Sequence, residues 1–184
     1  MHVAISQTPK RQYFIVTDFF RGFKAREYSI YDQTGKNLQY RIESKYHILQ
    51  SLELVTYPTK KVIGKLQANL RLLVYKGNIE IFDDHTQQWL KGVITQNFQL
   101  FGHNWTIKWN DRSLSMETDP ISLTTNFFDK QHDRILLAKF QMRVQSFFWV
   151  NQYDMEVYSN AIPDGVYLLS LAARDHTLQA GKRG

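Results

Sequence analysis

The chain has 184 residues, of which 43% are hydrophobic and 22% charged, and it contains no cysteine. This length suits one domain with a substantial core, and the composition excludes a disordered chain, while the lack of cysteine excludes disulfide scaffolds, thiolate zinc sites and cysteine nucleophiles. The first 79 residues carry 13 Lys and Arg against 5 Asp and Glu, so they supply the net charge of +6. Such a basic half favours anionic partners, although it also keeps ordinary proteins soluble.

We expect residues 1–12 to form a flexible N-terminal tail and residues 13–176 to form a single domain. Within that domain, alternating apolar and polar residues flank turns about 26 residues apart, which is the period-2 pattern of half-buried strands. Two further strands are predicted at 134–140 and 153–158. The four predicted hairpins cover residues 28–42, 52–66, 78–93 and 105–116.

One segment, residues 163–176, is predicted to be a helix. Pro163 and Asp164 suit a helix start, and residues 166–173 leave almost no polar face. About 14 helical residues rise only about 21 Å, short of the roughly 30 Å hydrocarbon core of a bilayer, so we expect this helix to be buried in protein. The sequence therefore predicts an all-β barrel of about 12 antiparallel strands around a buried C-terminal helix, with residues 177–184 as a flexible tail.

Several stretches in residues 60–176 resemble the tubby C-terminal domain superfamily, which includes the phospholipid scramblases and the LURP-one-related proteins. Residues 62–70, Val-Ile-Gly-Lys-Leu-Gln-Ala-Asn-Leu, are similar to the tubby stretch Ile-Gly-Lys-Leu-Arg-Ser-Asn-Leu. Residues 82–83, 92–100 and 153–156 resemble later tubby motifs in the same order, and the closing helix resembles the central helix of tubby. This resemblance implies the same helix-filled barrel.

The resemblance also implies a lipid site on the strand after residue 60. In tubby proteins the Lys and Arg of that stretch bind the phosphates of phosphatidylinositol 4,5-bisphosphate. Here Lys65 occupies the Lys position, whereas Gln67 occupies the Arg position. Glutamine can hydrogen-bond a phosphate but lacks the charge and the bidentate geometry of arginine.

Strand alternation independently places basic side chains on one face of this strand. Lys61, Ile63, Lys65 and Gln67 share one predicted face, and the small apolar residues Val62, Gly64, Leu66 and Ala68 share the face toward the helix. With Lys60 in the preceding turn, these side chains could contact lipid phosphates. The alternative is a solvated strand face whose charges prevent edge pairing.

A second candidate is the stretch 19–26, in which Arg21, Lys24 and Arg26 alternate with phenylalanines. Aromatic and basic residues together suit a membrane interface or stacking on single-stranded nucleic acid. The alternative is a strand whose phenylalanines pack inward.

Catalysis has little support in the sequence. The group Asp83, Asp84 and His85 could offer ligands to a metal, but it lies in a predicted turn, where Asp is common, and no second cluster has ligand spacing. No phosphate-cradling glycine loop or nucleophile motif is present. We therefore expect neither an enzyme nor a cofactor.

The sequence thus predicts a non-enzymatic tubby-like module that binds anionic phospholipid headgroups at the membrane periphery, with phosphoinositides, and phosphatidylinositol 4,5-bisphosphate among them, as the candidate ligands. The alternatives are a protein-interaction or structural module without a lipid site, and a nucleic-acid binder that uses the basic N-terminal half. Because no apolar run approaches the roughly 20 residues that span a bilayer, we expect a cytoplasmic location, peripheral at a membrane or nuclear.

Overall fold

The computed structural model describes residues 7–18, 26–45, 50–71, 74–97, 103–119, 121–143 and 151–180. They form twelve strands and one helix. The strands of the first half are β1 (Arg11–Thr17), β2 (Tyr28–Asp32), β3 (Leu38–Ser44), β4 (Ser51–Thr56), β5 (Val62–Arg71) and β6 (Val74–Asp83). The remaining elements are β7 (Gln88–Asn97), β8 (His103–Trp109), β9 (Arg112–Asp119), β10 (Thr124–Asp129), β11 (Leu136–Met142), β12 (Gln152–Val157) and α1 (Asp164–Ala180).

Each strand pairs antiparallel with its neighbours in the chain, and β1 pairs with β12, which closes the sheet into a barrel. All four predicted hairpins are present, as β2–β3, β4–β5, β6–β7 and β8–β9. Closure explains why alternation is so regular along the chain, since every strand has one face inside the barrel and one outside. The predicted fold class is therefore confirmed.

Helix α1 fills the interior of the barrel. Its side chains from Val166 to Ala173 are at most 2% exposed. Glycines bring the helix close to the strands, because a Cβ on Gly64 would lie 3.2 Å from Leu169 Cδ1 and one on Gly165 would lie 2.8 Å from Ile81 Cδ1. No helix among the described residues is long and apolar enough to cross a membrane.

A salt bridge and a hydrogen bond join the first residue of α1 to β1. Arg11 donates from both Nε and Nη2 to the Asp164 carboxylate at 2.7 Å, and the Tyr13 hydroxyl donates to the same group at 2.7 Å. The carboxylate also lies in the first helical turn, where the helix dipole favours negative charge. Pro163 and Asp164 therefore mark the helix start, as predicted.

Both predicted tails are shorter than expected within the described residues. Arg11 and Gln12, assigned to the N-terminal tail, belong to β1 because they pair with Val157 and Glu156 of β12. At the other end, the helix continues to Ala180, so residues 177–180 are helical. Residues 1–6 and 181–184 lie outside the described part of the chain.

Candidate functional site

The predicted face of β5 is largely as expected. Gly64, Leu66 and Ala68 point inward and are buried, whereas Gln67 is exposed and Lys65 is partly exposed. Two residues differ: Ile63 was predicted to face outward with the lysines but packs against the core, and Val62 was predicted to face the helix but is only half-buried. The cause is a bulge, since Leu54 of β4 pairs with Gly64 and the next residue, Val55, pairs with Val62. The extra residue in a bulge breaks the alternation of faces.

Lys60 and Lys61 lie in the turn between β4 and β5, directly before the first residue of β5. The Lys61 ammonium lies 2.5 Å from Asp84 Oδ1 and 4.4 Å from the centre of the Phe82 ring. Both members of this ion pair are well exposed, so the pair contributes at most about 1 kcal/mol, and it partly compensates the Lys61 charge. Lys60 is exposed in the β4–β5 turn, with φ of 56°.

Lys65 is positioned by an aromatic ring. Its Nζ lies 4.4 Å from the centre of the Trp89 ring, and Trp89 makes an edge contact with Phe82 at a centroid distance of 5.4 Å. A cation above an indole face is attracted to it by roughly 0.5–1 kcal/mol at exposed sites. Among the described residues, Lys65 forms no salt bridge, so its charge remains available to a ligand.

A groove of about 460 Å³ on the outer face of β5–β8 combines Lys65 with residues of three other strands and a turn. Lys91 of β7 and Lys108 of β8 add two further ammonium groups, while Glu80 of β6 adds a carboxylate. The polar side chains that complete the lining are Gln67, Asn78 and Asn110.

The charges of this groove favour an anion. Lys91 Nζ lies 3.5 Å from Glu80 Oε1, so one of the three ammonium groups has a carboxylate partner. Lys108 is exposed, and it makes no salt bridge within the described part of the chain. Ammonium groups act as point charges toward phosphate oxygens, and amide side chains can donate further hydrogen bonds to them.

Of the residues that line the groove, Lys65 and Gln67 were predicted from the sequence and the others were not. Lys91 and Lys108 lie at outward-facing positions of strands in which apolar and polar residues alternate, so their exposure could have been predicted from the sequence. Their proximity to Lys65 depends on register: Lys65 pairs with Glu80, and Glu80 pairs with Lys91. The pairing of Glu80 with Lys91 belongs to the predicted 78–93 hairpin, whereas the pairing of Lys65 with Glu80 joins two predicted hairpins and was not predicted.

The aromatic and basic stretch 19–26 is only partly described. Arg21 and Lys24 lie outside the described residues, so their predicted lipid contacts stay predictions. Arg26 is half-buried. Burial raises the hydroxyl pKa values of Tyr28 and Tyr153, and the Arg26 charge is a smaller effect that opposes this rise. Arg26 does not line the groove of β5–β8.

The turn group predicted as a possible metal ligand set makes ordinary turn contacts. Asp83 accepts hydrogen bonds from the His85 backbone N–H at 3.0 Å and from the Thr86 hydroxyl at 2.8 Å. These bonds hold the pKa of Asp83 below its usual value. Asp84 faces Lys61 instead. Within the described ranges, no group of three or more His, Asp and Glu side chains could hold a metal ion.

A second polar cluster lies inside the barrel, at the last turns of α1. Arg174 and Asp175 form a salt bridge in which both side chains are about 5% exposed. The hydroxyls of Tyr153 and Tyr28 donate to Asp175 Oδ2 at 2.7 and 3.2 Å. Burial, and then the nearby Asp175 charge, raise the pKa of both tyrosines well above its usual value. This cluster is a buried, hydrogen-bonded support for the helix rather than an accessible site.

Comparison with protein-family models and with curated proteins gave no match for the chain. The resemblance to the tubby superfamily therefore rests on the residues quoted above.

Proposed function

We propose that this protein binds anionic phospholipid headgroups at the membrane periphery, through the β5–β8 groove. The observation that carries the proposal is the convergence of Lys65, Lys91 and Lys108 on one groove that contains a single carboxylate. The tubby resemblance supports the same strand, because Lys65 stands where tubby proteins have a phosphate-binding lysine. Gln67 lies beside it as an uncharged headgroup contact, and Lys61 and Lys60 extend the basic surface toward the turn.

The expected strength is that of weak recruitment. A basic residue near an anionic membrane surface contributes about 1 kcal/mol, so three lysines contribute about 3 kcal/mol. This corresponds to roughly a hundredfold enrichment on the membrane. Such a protein would exchange rapidly between membrane and solution.

Vesicle flotation at physiological salt tests the proposal. We expect wild-type protein to float with vesicles that contain phosphatidylinositol phosphates, less with phosphatidylserine vesicles of equal charge, and not with neutral vesicles. Lys65→Ala should reduce the floated fraction roughly fivefold, because one groove charge is lost.

The matched control is Lys36→Ala, which removes the same charge from the exposed β2–β3 turn. If both variants lose binding equally, net charge rather than the groove is responsible. If wild-type protein floats with no anionic vesicle, the lipid proposal is wrong, and the alternatives take its place. A nucleic-acid binder would then show affinity that falls with salt, with a slope of about −0.9 per phosphate contact on duplex DNA. A protein-interaction module would bind neither probe.

A further inference from the structure

Glu80 contributes a negative charge to a groove whose other charged residues are lysines. Its carboxylate is about one-third exposed and lies between two of the three lysines, paired across the strands with Lys65 on one side and Lys91 on the other. An ionised carboxylate only accepts hydrogen bonds, and it repels a phosphate placed beside it. Glu80 therefore lowers the affinity of the groove for purely anionic ligands.

A carboxylate in this position favours a ligand that brings its own hydrogen-bond donor. A hydroxyl group next to a phosphate would donate to Glu80 while the phosphate meets Lys65, the cross-strand neighbour of Glu80. The amide side chains of Gln67 and Asn78 line the same groove and can serve as donors or acceptors to further hydroxyls. The groove is thus suited to a phosphorylated polyol.

The charge of the groove limits how many phosphates it can balance. Three ammonium groups and one carboxylate give the lining a formal charge of +2. The phosphodiester that links the headgroup to the lipid is common to both kinds of ligand. A phosphomonoester adds about −1.5 to −2 at pH 7, so one such group matches the formal charge of the lining and a second exceeds it.

We infer that Glu80 makes the groove selective for polyol headgroups with one phosphomonoester over headgroups with two. This inference rests on the proposed function and assigns to Glu80 the role of a specificity-determining residue. Replacing the carboxylate by an amide would raise the formal charge of the lining and free Lys91 from its partner.

The experiment compares vesicles that contain either phosphatidylinositol 4-phosphate or phosphatidylinositol 4,5-bisphosphate, at mole fractions that give equal nominal charge. We expect wild-type protein to bind the monophosphate vesicles more tightly. Glu80→Gln should shift the ratio of the two affinities toward the bisphosphate roughly fivefold, because the added charge lies in the groove beside the second phosphomonoester and is equivalent to about one basic group.

Glu156→Gln is the matched control. Glu156 faces outward on β12, on the far side of the barrel from β6, and its partner Lys139 lies at 3.9 Å, much as Lys91 accompanies Glu80. Both substitutions change the net charge equally, so Glu156→Gln should leave the ratio of affinities unchanged. An equal shift in both variants, or no shift in Glu80→Gln, would overturn the role of Glu80.

A competition arm separates headgroup recognition from recognition of surface charge. Soluble inositol monophosphate should displace wild-type protein from the monophosphate vesicles, whereas inorganic phosphate at equal charge should displace it less. Equal displacement would contradict the hydroxyl contact. If wild-type protein binds no anionic vesicle, the proposed function itself fails. If it binds in a Lys65-dependent way without the Glu80 effect, only this inference fails.

Discussion

Leu169→Asp is expected to abolish cooperative folding. Leu169 is fully buried in the middle of α1 and packs close to Gly64 of β5. The substitution places a carboxylate among apolar side chains, where burying an unpaired charge costs several kcal/mol or more. Because a domain of this size has a total stability of about 5–15 kcal/mol, most of the folded population should be lost. Urea unfolding followed by circular dichroism measures the effect.

The control for this substitution is Ile121→Asp. This substitution introduces the same charge at a side chain that is 93% exposed in the β9–β10 turn. The free energy of unfolding of the Ile121→Asp protein should therefore stay within about 0.5 kcal/mol of the wild-type value. A Leu169→Asp protein that unfolds with the wild-type midpoint would show that the helix does not fill the barrel.

Asp175→Asn is expected to lower the free energy of unfolding by about 3–5 kcal/mol, because it leaves the Arg174 guanidinium buried without its carboxylate. Arg174 also donates to the Thr125 hydroxyl, but a neutral partner compensates a buried charge less well than a carboxylate. Equilibrium unfolding in urea gives the value, and the double variant Arg174→Met, Asp175→Asn should recover part of the loss, since it removes the orphaned charge as well.

An exposed ion pair serves as the control for the effect of burial on the Asp175→Asn result. Asp154→Asn breaks the salt bridge with Arg143, in which both side chains are more than 40% exposed, and it should cost less than about 1 kcal/mol. Equal losses in Asp175→Asn and Asp154→Asn would contradict the role of burial.

The architecture could be predicted because its signals are local. Alternation on either side of each turn fixes which residues of a hairpin face inward, and the run from Val166 to Ala173 allows only a buried helix. The predictions that were wrong concern features that depend on contacts between elements or that no recognised local pattern marked. The bulge at Ile63 depends on how β4 and β5 pair, and the helical structure of residues 177–180 has no marker in the sequence that was recognised.

The candidate site could be predicted only in part, for the same reason. Lys65 and Gln67 follow from alternation within one strand, whereas Glu80, Lys91 and Lys108 join them through the register of four strands. The register between successive hairpins does not follow from alternation within one strand, and a shift of one residue would turn these side chains inward. The charge of the groove was therefore visible only in the folded chain.

The most direct test of the β5–β8 site is a titration of isotope-labelled protein with soluble inositol 4-phosphate, followed by amide and indole chemical shifts. We predict saturable changes confined to the groove, namely at Lys65, Gln67, Asn78, Glu80, Lys91 and Lys108 and at the indole N–H of Trp89, over which the Lys65 ammonium lies. Changes that appear on another face of the barrel, or no changes at millimolar ligand, would contradict the site.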